Sequence, residues 1–266
     1  MKKRIISAIV ALIIFIPIVL KGGIIFNLTF FVVAMQGLKE LLDVTEKKKK
    51  IPSFIKLICY LILASIFFIG QINANMVLNI DFRIIVGSFL LLLLPTVLYH
   101  DKKVYNVKDG FYLLGSLLFL GISLSLFVMY RNMGLEILVF LFLITMLTDT
   151  FAYITGRLIG KNKLLEEVSP KKTWEGLFGG SIMGTFICTV YYFTVIDSTA
   201  SLSVIIPVVL FLTIVGQFGD LFFSSIKRYY GVKDFSNIMP GHGGALDRFD
   251  SIIFVMLAYT FFITII

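Results

Sequence analysis

Apolar runs about as long as a bilayer is thick recur from one end of this chain to the other, and that repetition decides what it can fold into. A helix needs about 20 apolar residues to cross the hydrocarbon core. Backbone polar groups in lipid must be satisfied within the structure, so the runs read as helices. Only 15% of the 266 residues are charged and 58% are hydrophobic, whereas a soluble domain carries about 25% charged residues. The excess is too large for one globular core.

Nine runs predict spans at roughly 5–20, 24–42, 53–72, 83–99, 110–130, 135–155, 175–195, 202–222 and 250–266. The start, MKKRIISAIVALIIFIPIVLKGG, has the basic head and apolar middle of a secretory signal. No small-x-small cleavage site follows it, so it reads as the first span. The second run ends in GLKELLDVTEKKKK, an amphipathic tail suited to the membrane interface. Cys59 and Cys188 fall inside apolar runs and read as small hydrophobes rather than as a disulfide or thiolate site. His100, at the end of a run, reads as an interfacial polar residue.

Charge sets the orientation. Lys and Arg gather in cytoplasmic loops. With the N-terminus inside and nine crossings, all of the 24 basic residues except Lys21, Arg83 and Arg131 fall on the cytoplasmic side. The net charge of +8 then reflects this bias and attraction to anionic lipid heads, not nucleic acid. The expectation is an all-α polytopic membrane protein: helices of residues 1–130, then a catalytic part, 131–266, with cytoplasmic loops 156–174 and 223–249.

The polar chemistry is concentrated in that second part. Asp149 lies late in the sixth run, where a charge costs about 2.5–3.5 kcal/mol on insertion scales. Asp149, Tyr153, Gly156 and Gly160 are spaced to share a helix face. The competing reading is a packing stripe with one snorkelling acid. In EEVSPKKTWEG, Thr173 suits a helix cap with Glu175 in the first turn. Capping leaves Lys171 and Lys172 unexplained, and lysines beside free backbone N–H groups suit phosphate. Asp220, Ser224 and Lys227 share a face near the end of the eighth run. A carboxylate with a hydroxyl one turn away suits a hard cation, and Lys227 and Arg228 stand at headgroup depth.

The stretch YYGVKDFSNIMPGHGGALDRFDS collects acids, bases and glycines within one loop and helix start. Its glycine bend offers backbone N–H groups to an anion. Asp247 and Asp250 lie on one helix face, and two close carboxylates repel unless a cation sits between them. Asp220 and Asp247, from different spans on one leaflet, can share Mg²⁺, which takes one or two carboxylates plus substrate phosphate oxygens. Acids, lysines and arginines at headgroup depth equip a site for phosphoryl or nucleotidyl transfer.

SSIKRYYGVKDFSNIMPGHGGALDRFDS resembles the signature of the phosphatidate cytidylyltransferases, the CDP-diacylglycerol synthases. Ser224, Lys227, Arg228, Lys233, Asp234, Pro240, His242, Gly243, Gly244, Asp247, Arg248 and Asp250 fall on it. SPKKTWEG and DTFAYITGRLIGK also resemble that family, in the expected order. Met239, Ala245 and the segment DFSN depart from its usual residues. The resemblance implies that CTP and phosphatidic acid give CDP-diacylglycerol and pyrophosphate, with one Mg²⁺ ion or two. It also implies a helical fold with a polar cavity open to the cytoplasmic leaflet, in a homodimer of the cytoplasmic membrane. Asp220 and Asp247 would then hold metal with Ser224 and Asp250, while Lys227, Arg228 and Arg248 neutralise phosphate. Lys171, Lys172 and Lys233 would bind triphosphate or lipid phosphate, with Asp149, Thr173, Glu175, Asp234, Gly243 and Gly244 in the substrate set. His242 would shape the loop rather than act as a base. Two rivals remain: CTP-dependent activation of another lipid phosphate, and a cation-coupled transporter using Asp149 and Asp220.

Overall fold

The computed structural model describes residues 2–72, 81–99, 101–239, 241 and 243–263, with side chains from residue 9 onward apart from 69–72. His100, Pro240 and His242 lie outside the described residues, and so do the expectations placed on them.

Nine α-helices occur among the described residues: α1 (Lys2–Lys21), α2 (Gly23–Glu46), α3 (Ser53–Ile72), α4 (Phe82–Leu98), α5 (Val107–Met133), α6 (Leu135–Ile159), α7 (Trp174–Tyr191), α8 (Leu202–Tyr229) and α9 (Leu246–Thr260). A π-helical turn, Tyr192–Ile196, extends α7. Five of them, α2, α5, α6, α7 with its π turn, and α8, are long and apolar enough to cross a membrane. The burial pattern agrees with lipid as solvent. Ile24, Leu98, Leu158 and Phe186 are exposed, while Thr148, Ser181, Thr185, Thr213 and Gln217 are buried between helices. Large apolar side chains on the outside are normal only where the surroundings are apolar, and small polar residues at helix contacts are a membrane habit. The chain is an all-α membrane protein.

Local chemistry fixes the helix ends. Asp81 caps α4 by accepting from the Arg83 N–H at 2.9 Å. At the start of α5 the Asn106 side chain accepts from the N–H groups of Lys108 and Asp109, and the Asp109 carboxylate accepts from the Asn106 N–H. That reciprocal pairing is a capping box.

Several boundaries differ from those expected. Helix α6 continues to Ile159 and α8 to Tyr229, because TGRLI and SSIKRY extend the helix and Arg157, Lys227 and Arg228 suit its negative end. Helix α9 starts at Leu246, which makes Asp247, Arg248 and Asp250 helical. The loop before α7 holds a two-stranded antiparallel ribbon, β1 (Lys163–Leu165) and β2 (Ser169–Thr173), with Lys163 opposite Thr173 and Leu165 opposite Ser169. The amphipathic tail continues α2 to Glu46 and buries Gly37, Leu38, Glu40, Leu41, Leu42 and Val44.

The chain forms two compact units, residues 1–132 with 234–246, and residues 133–233 with 247–266. Aromatic rings fill the first: Phe30 lies 4.6 Å from Phe26 and 4.4 Å from Phe127, centroid to centroid. Arg131 donates to the carbonyls of Val19 at 2.6 Å and Leu20 at 2.8 Å, satisfying the open end of α1.

The second unit is built on α6 against α7. Gly176, Gly180 and Gly184 recur every fourth residue along one stripe of α7 and meet Thr148, Ala152 and Gly156 on α6. A Cβ on Gly180 would stand 2.6 Å from the Thr148 carbonyl oxygen, and one on Gly176 would stand 2.8 Å from that of Ala152. Only glycine admits such an approach, which is how helices in lipid gain contact where no hydrophobic drive exists. Gly216 and Gly219 seat α8 on α9 in the same way, against Val255 and Phe254.

Candidate active site

Around this glycine-packed frame the second unit gathers acids and lysines from four elements. The β ribbon supplies Lys172, and the start of α7 aims it. Thr173 caps α7, its hydroxyl accepting from the Gly176 N–H at 3.1 Å. The Glu175 carboxylate accepts from the Asn162 backbone N–H and, at 2.8 Å, from its side-chain amide, which ties the ribbon base to α7. Thr173 and Glu175 are thus held in structural bonds. The Lys172 ammonium lies 2.8 Å from Asp220 Oδ2 and donates to the Gln217 carbonyl oxygen at 3.1 Å.

Helix α8 supplies Asp220, Ser224 and Lys227 on one face. The Ser224 hydroxyl donates to Asp220 Oδ1 at 3.3 Å. The Lys227 ammonium lies 2.7 Å from Asp247 Oδ1 on α9, a pair whose side chains are 9% and 4% exposed. Asp250, one turn on, accepts from the Ser251 N–H at 2.8 Å. Asp149 on α6 completes the group. Its carboxylate lies in the fields of Lys172 and Asp220, and Asp250 lies in those of Asp220, Lys227 and Asp149. Seven of the predicted residues therefore converge: Asp149, Lys172, Asp220, Ser224, Lys227, Asp247 and Asp250.

The others stand differently. Lys171, Lys233 and Arg248 are exposed. Arg228 folds back and donates to the Val232 carbonyl oxygen at 2.9 Å. Tyr153 points outward at 66% exposed, whereas Gly156 and Gly160 face Thr173. Asp234, Gly243 and Gly244 belong to the first unit, where Asp234 is exposed. Backbone N–H groups in and just after the glycine bend are engaged at three residues. Gly243 donates to Met239 at 3.2 Å, and the N–H groups of Ala245 and Leu246 donate to Glu40 at 2.8 and 2.9 Å.

The donor set suits a hard divalent cation. It is all oxygen, carboxylate and hydroxyl, and four carboxylates face two ammonium groups. Among the described residues no three His, Cys, Asp or Glu side chains are grouped to hold an ion by themselves.

Three features of this unit escaped the sequence reading. Gln217 is 3% exposed and donates to the Leu177 carbonyl oxygen at 3.2 Å and the Ser181 hydroxyl at 2.9 Å. An amide inside IVGQFGD was itself a signal, since such a group needs partners. The spacing of Gly176, Gly180 and Gly184 was legible too. The ion pair of Lys227 with Asp247 was not, because nothing local links residues 20 apart.

Fold and site together define a helical membrane protein that gathers four carboxylates and two lysines in one unit. Residues 2–266 match a family model described as the Cytidylyltransferase family, and the chain belongs to that family, which makes it a nucleotidyltransferase. It is similar to the phosphatidate cytidylyltransferase of Staphylococcus epidermidis, 40% identical over 257 residues that cover 96% of each chain. The proteins of that name from Staphylococcus haemolyticus and Staphylococcus aureus are 39% and 37% identical, again over 96% of each chain.

Proposed function

We propose that the chain transfers a cytidylyl group from CTP to phosphatidic acid, giving CDP-diacylglycerol and pyrophosphate for phospholipid synthesis. The convergence of Asp149, Asp220, Asp247 and Asp250 with Lys172 and Lys227 in one unit of a cytidylyltransferase carries this reading, and the names of the relatives supply the substrates.

In this reading a phosphatidate oxygen attacks the α-phosphorus of CTP in line. The bond to the bridging oxygen breaks, and pyrophosphate leaves with the electron pair. The attacking phosphate is already ionised, so no side chain has to remove a proton. Asp220 and Asp247, with Ser224 and Asp250, would hold Mg²⁺. That ion, when bound, neutralises charge on the phosphates as they react. Lys172, half-exposed beside Asp220, turns to the triphosphate when the substrate enters, and Lys227 balances the charge of Asp247 where both are buried. Lys171, Lys233, Arg228 and Arg248 extend the positive surface toward nucleotide and lipid phosphate. Positioning and charge neutralisation do the chemistry.

The same reading takes the chain across the cytoplasmic membrane nine times. Its N-terminus lies inside, a polar cavity opens to the inner leaflet, and two copies form a homodimer. The one-sided basic residues support the orientation. The deciding experiment is pyrophosphate release by purified protein in detergent, with nucleotide, lipid and cation omitted in turn. Release should need CTP, phosphatidate and Mg²⁺ together. Release with a different lipid phosphate but not with phosphatidate would replace the lipid substrate. Ion-dependent flux in liposomes without turnover would replace the reaction.

A further inference from the structure

Glu40 carries a carboxylate on a buried face of α2, 1% exposed, and the proposed chemistry does not use it. An ionised carboxylate out of water is costly unless it is hydrogen-bonded. Here Oε1 accepts from the Ala245 N–H at 2.8 Å, the Ser236 hydroxyl at 2.7 Å and the Gln36 amide at 3.1 Å, while Oε2 accepts from the Leu246 N–H at 2.9 Å. Leu246 is the first residue of α9. The opening N–H groups of a helix have no intrahelical partner and carry partial positive charge. Helix α9 therefore takes its cap from a side chain 205 residues earlier in the chain.

The surroundings are shaped to admit that carboxylate. A Cβ on Gly244 would stand 2.4 Å from Glu40 Oε1, and one on Gly37 would stand 3.0 Å from a Leu246 methyl. Just before, Met239 and Gly243 exchange both backbone hydrogen bonds, at 3.0 and 3.2 Å. Gly241 and Gly243 have φ of 81° and 84°, in the left-handed region open to glycine. The approach to α9 is thus bonded to itself at Met239 and Gly243 and to one carboxylate at Ser236, Ala245 and Leu246.

We propose that Glu40 is a positioning residue for nucleotidyl transfer: it holds Ser236, Ala245 and Leu246 and the direction in which α9 begins, and so places Asp247 and Asp250, which that helix carries in its first turns. The inference rests on the proposed function, which gives those two acids their work. Glutamine in place of Glu40 keeps the size but turns an NH₂ group toward one of the two backbone donors, so the clamp loosens on one side.

The test compares wild type with Glu40→Gln and the milder Ser236→Ala by steady-state kinetics and by hydrogen exchange of the whole detergent-solubilised protein. For Glu40→Gln, kcat falls ~10–100-fold, the range seen when a supporting hydrogen bond behind a reacting group is lost. The KM for CTP also rises several-fold, which inactive molecules in a preparation do not produce. Exchange quickens in peptides spanning 236–249 and stays as in wild type across α5 to α8. Ser236→Ala shows the same pattern on a smaller scale, and it reads the proposal should Glu40→Gln fail to fold. Wild-type kinetics, or unchanged exchange at 236–249, in a folded variant overturns the proposal. Absence of turnover in wild type overturns the functional reading and the inference with it, whereas active wild type matched by both variants removes the inference alone.

Discussion

Two regions of this molecule place carboxylates in apolar helices and treat the charge in opposite ways. Glu40, in the first unit, receives four hydrogen bonds, two of them from backbone N–H groups and none of the four from a lysine or arginine. In the second unit four carboxylates face two lysines, and the bridge between Lys172 and Asp220 is still 23% and 32% exposed. A carboxylate held by four donors can hold backbone and do little else. A half-open group with surplus negative charge can still receive a cation, and can release a lysine to a phosphate. On the proposed function, the difference separates a structural anion from a working one more sharply than residue type or depth does.

Four substitutions test that division. Lys227→Met removes the ammonium beside Asp247 where both are buried. Breaking one side of such a pair costs about 3–5 kcal/mol, read as a drop in the thermal midpoint in detergent. An unchanged midpoint would show that Asp247 needs no partner there. Asp220→Asn keeps shape but removes a working charge. Its kcat should fall about 10²–10³-fold, as when one transition-state contact is lost, with the midpoint close to wild type. Near-wild-type turnover of the folded variant would take Asp220 out of the site. Lys172→Gln opens a half-exposed bridge worth about 0–1 kcal/mol of stability. Its effect should appear in kcat/KM for CTP, which falls about tenfold with the loss of a charge-assisted contact to phosphate. Stability loss without that kinetic change would make Lys172 structural. Gln36→Leu takes one donor from Glu40 and costs about 0.5–1.5 kcal/mol. A far larger loss would show that the four bonds act as one unit.

Much of the helical layout was legible because apolar length is a local signal: each of the nine runs carries a helix among the described residues. Polar ends were less legible. SSIKRY looks like loop by hydropathy yet continues α8, since helix geometry tolerates charge once the axis leaves lipid. Within the site, Asp149 and Asp220 stood out because charge in a span is costly and so calls for a reason, and Asp247 because it shares a helix face with Asp250. Glu40 did not, because KELLD beside a lysine run reads equally well as an interfacial helix. Its backbone partners lie 205 and 206 residues away, where no periodicity reaches. Just past the glycine bend, the N–H groups of Ala245 and Leu246 are bound by that same distant side chain, which no local pattern signals.

That separation has a consequence for how the protein is made. The amides of Ala245 and Leu246 follow Glu40 by 205 and 206 residues. A ribosome adding about 5–20 residues per second reaches them roughly 10–40 s after α2 has been synthesised. Over that interval the carboxylate lacks its two backbone donors. A nascent chain arrested before residue 246 leaves the Glu40 carboxylate without the Leu246 donor.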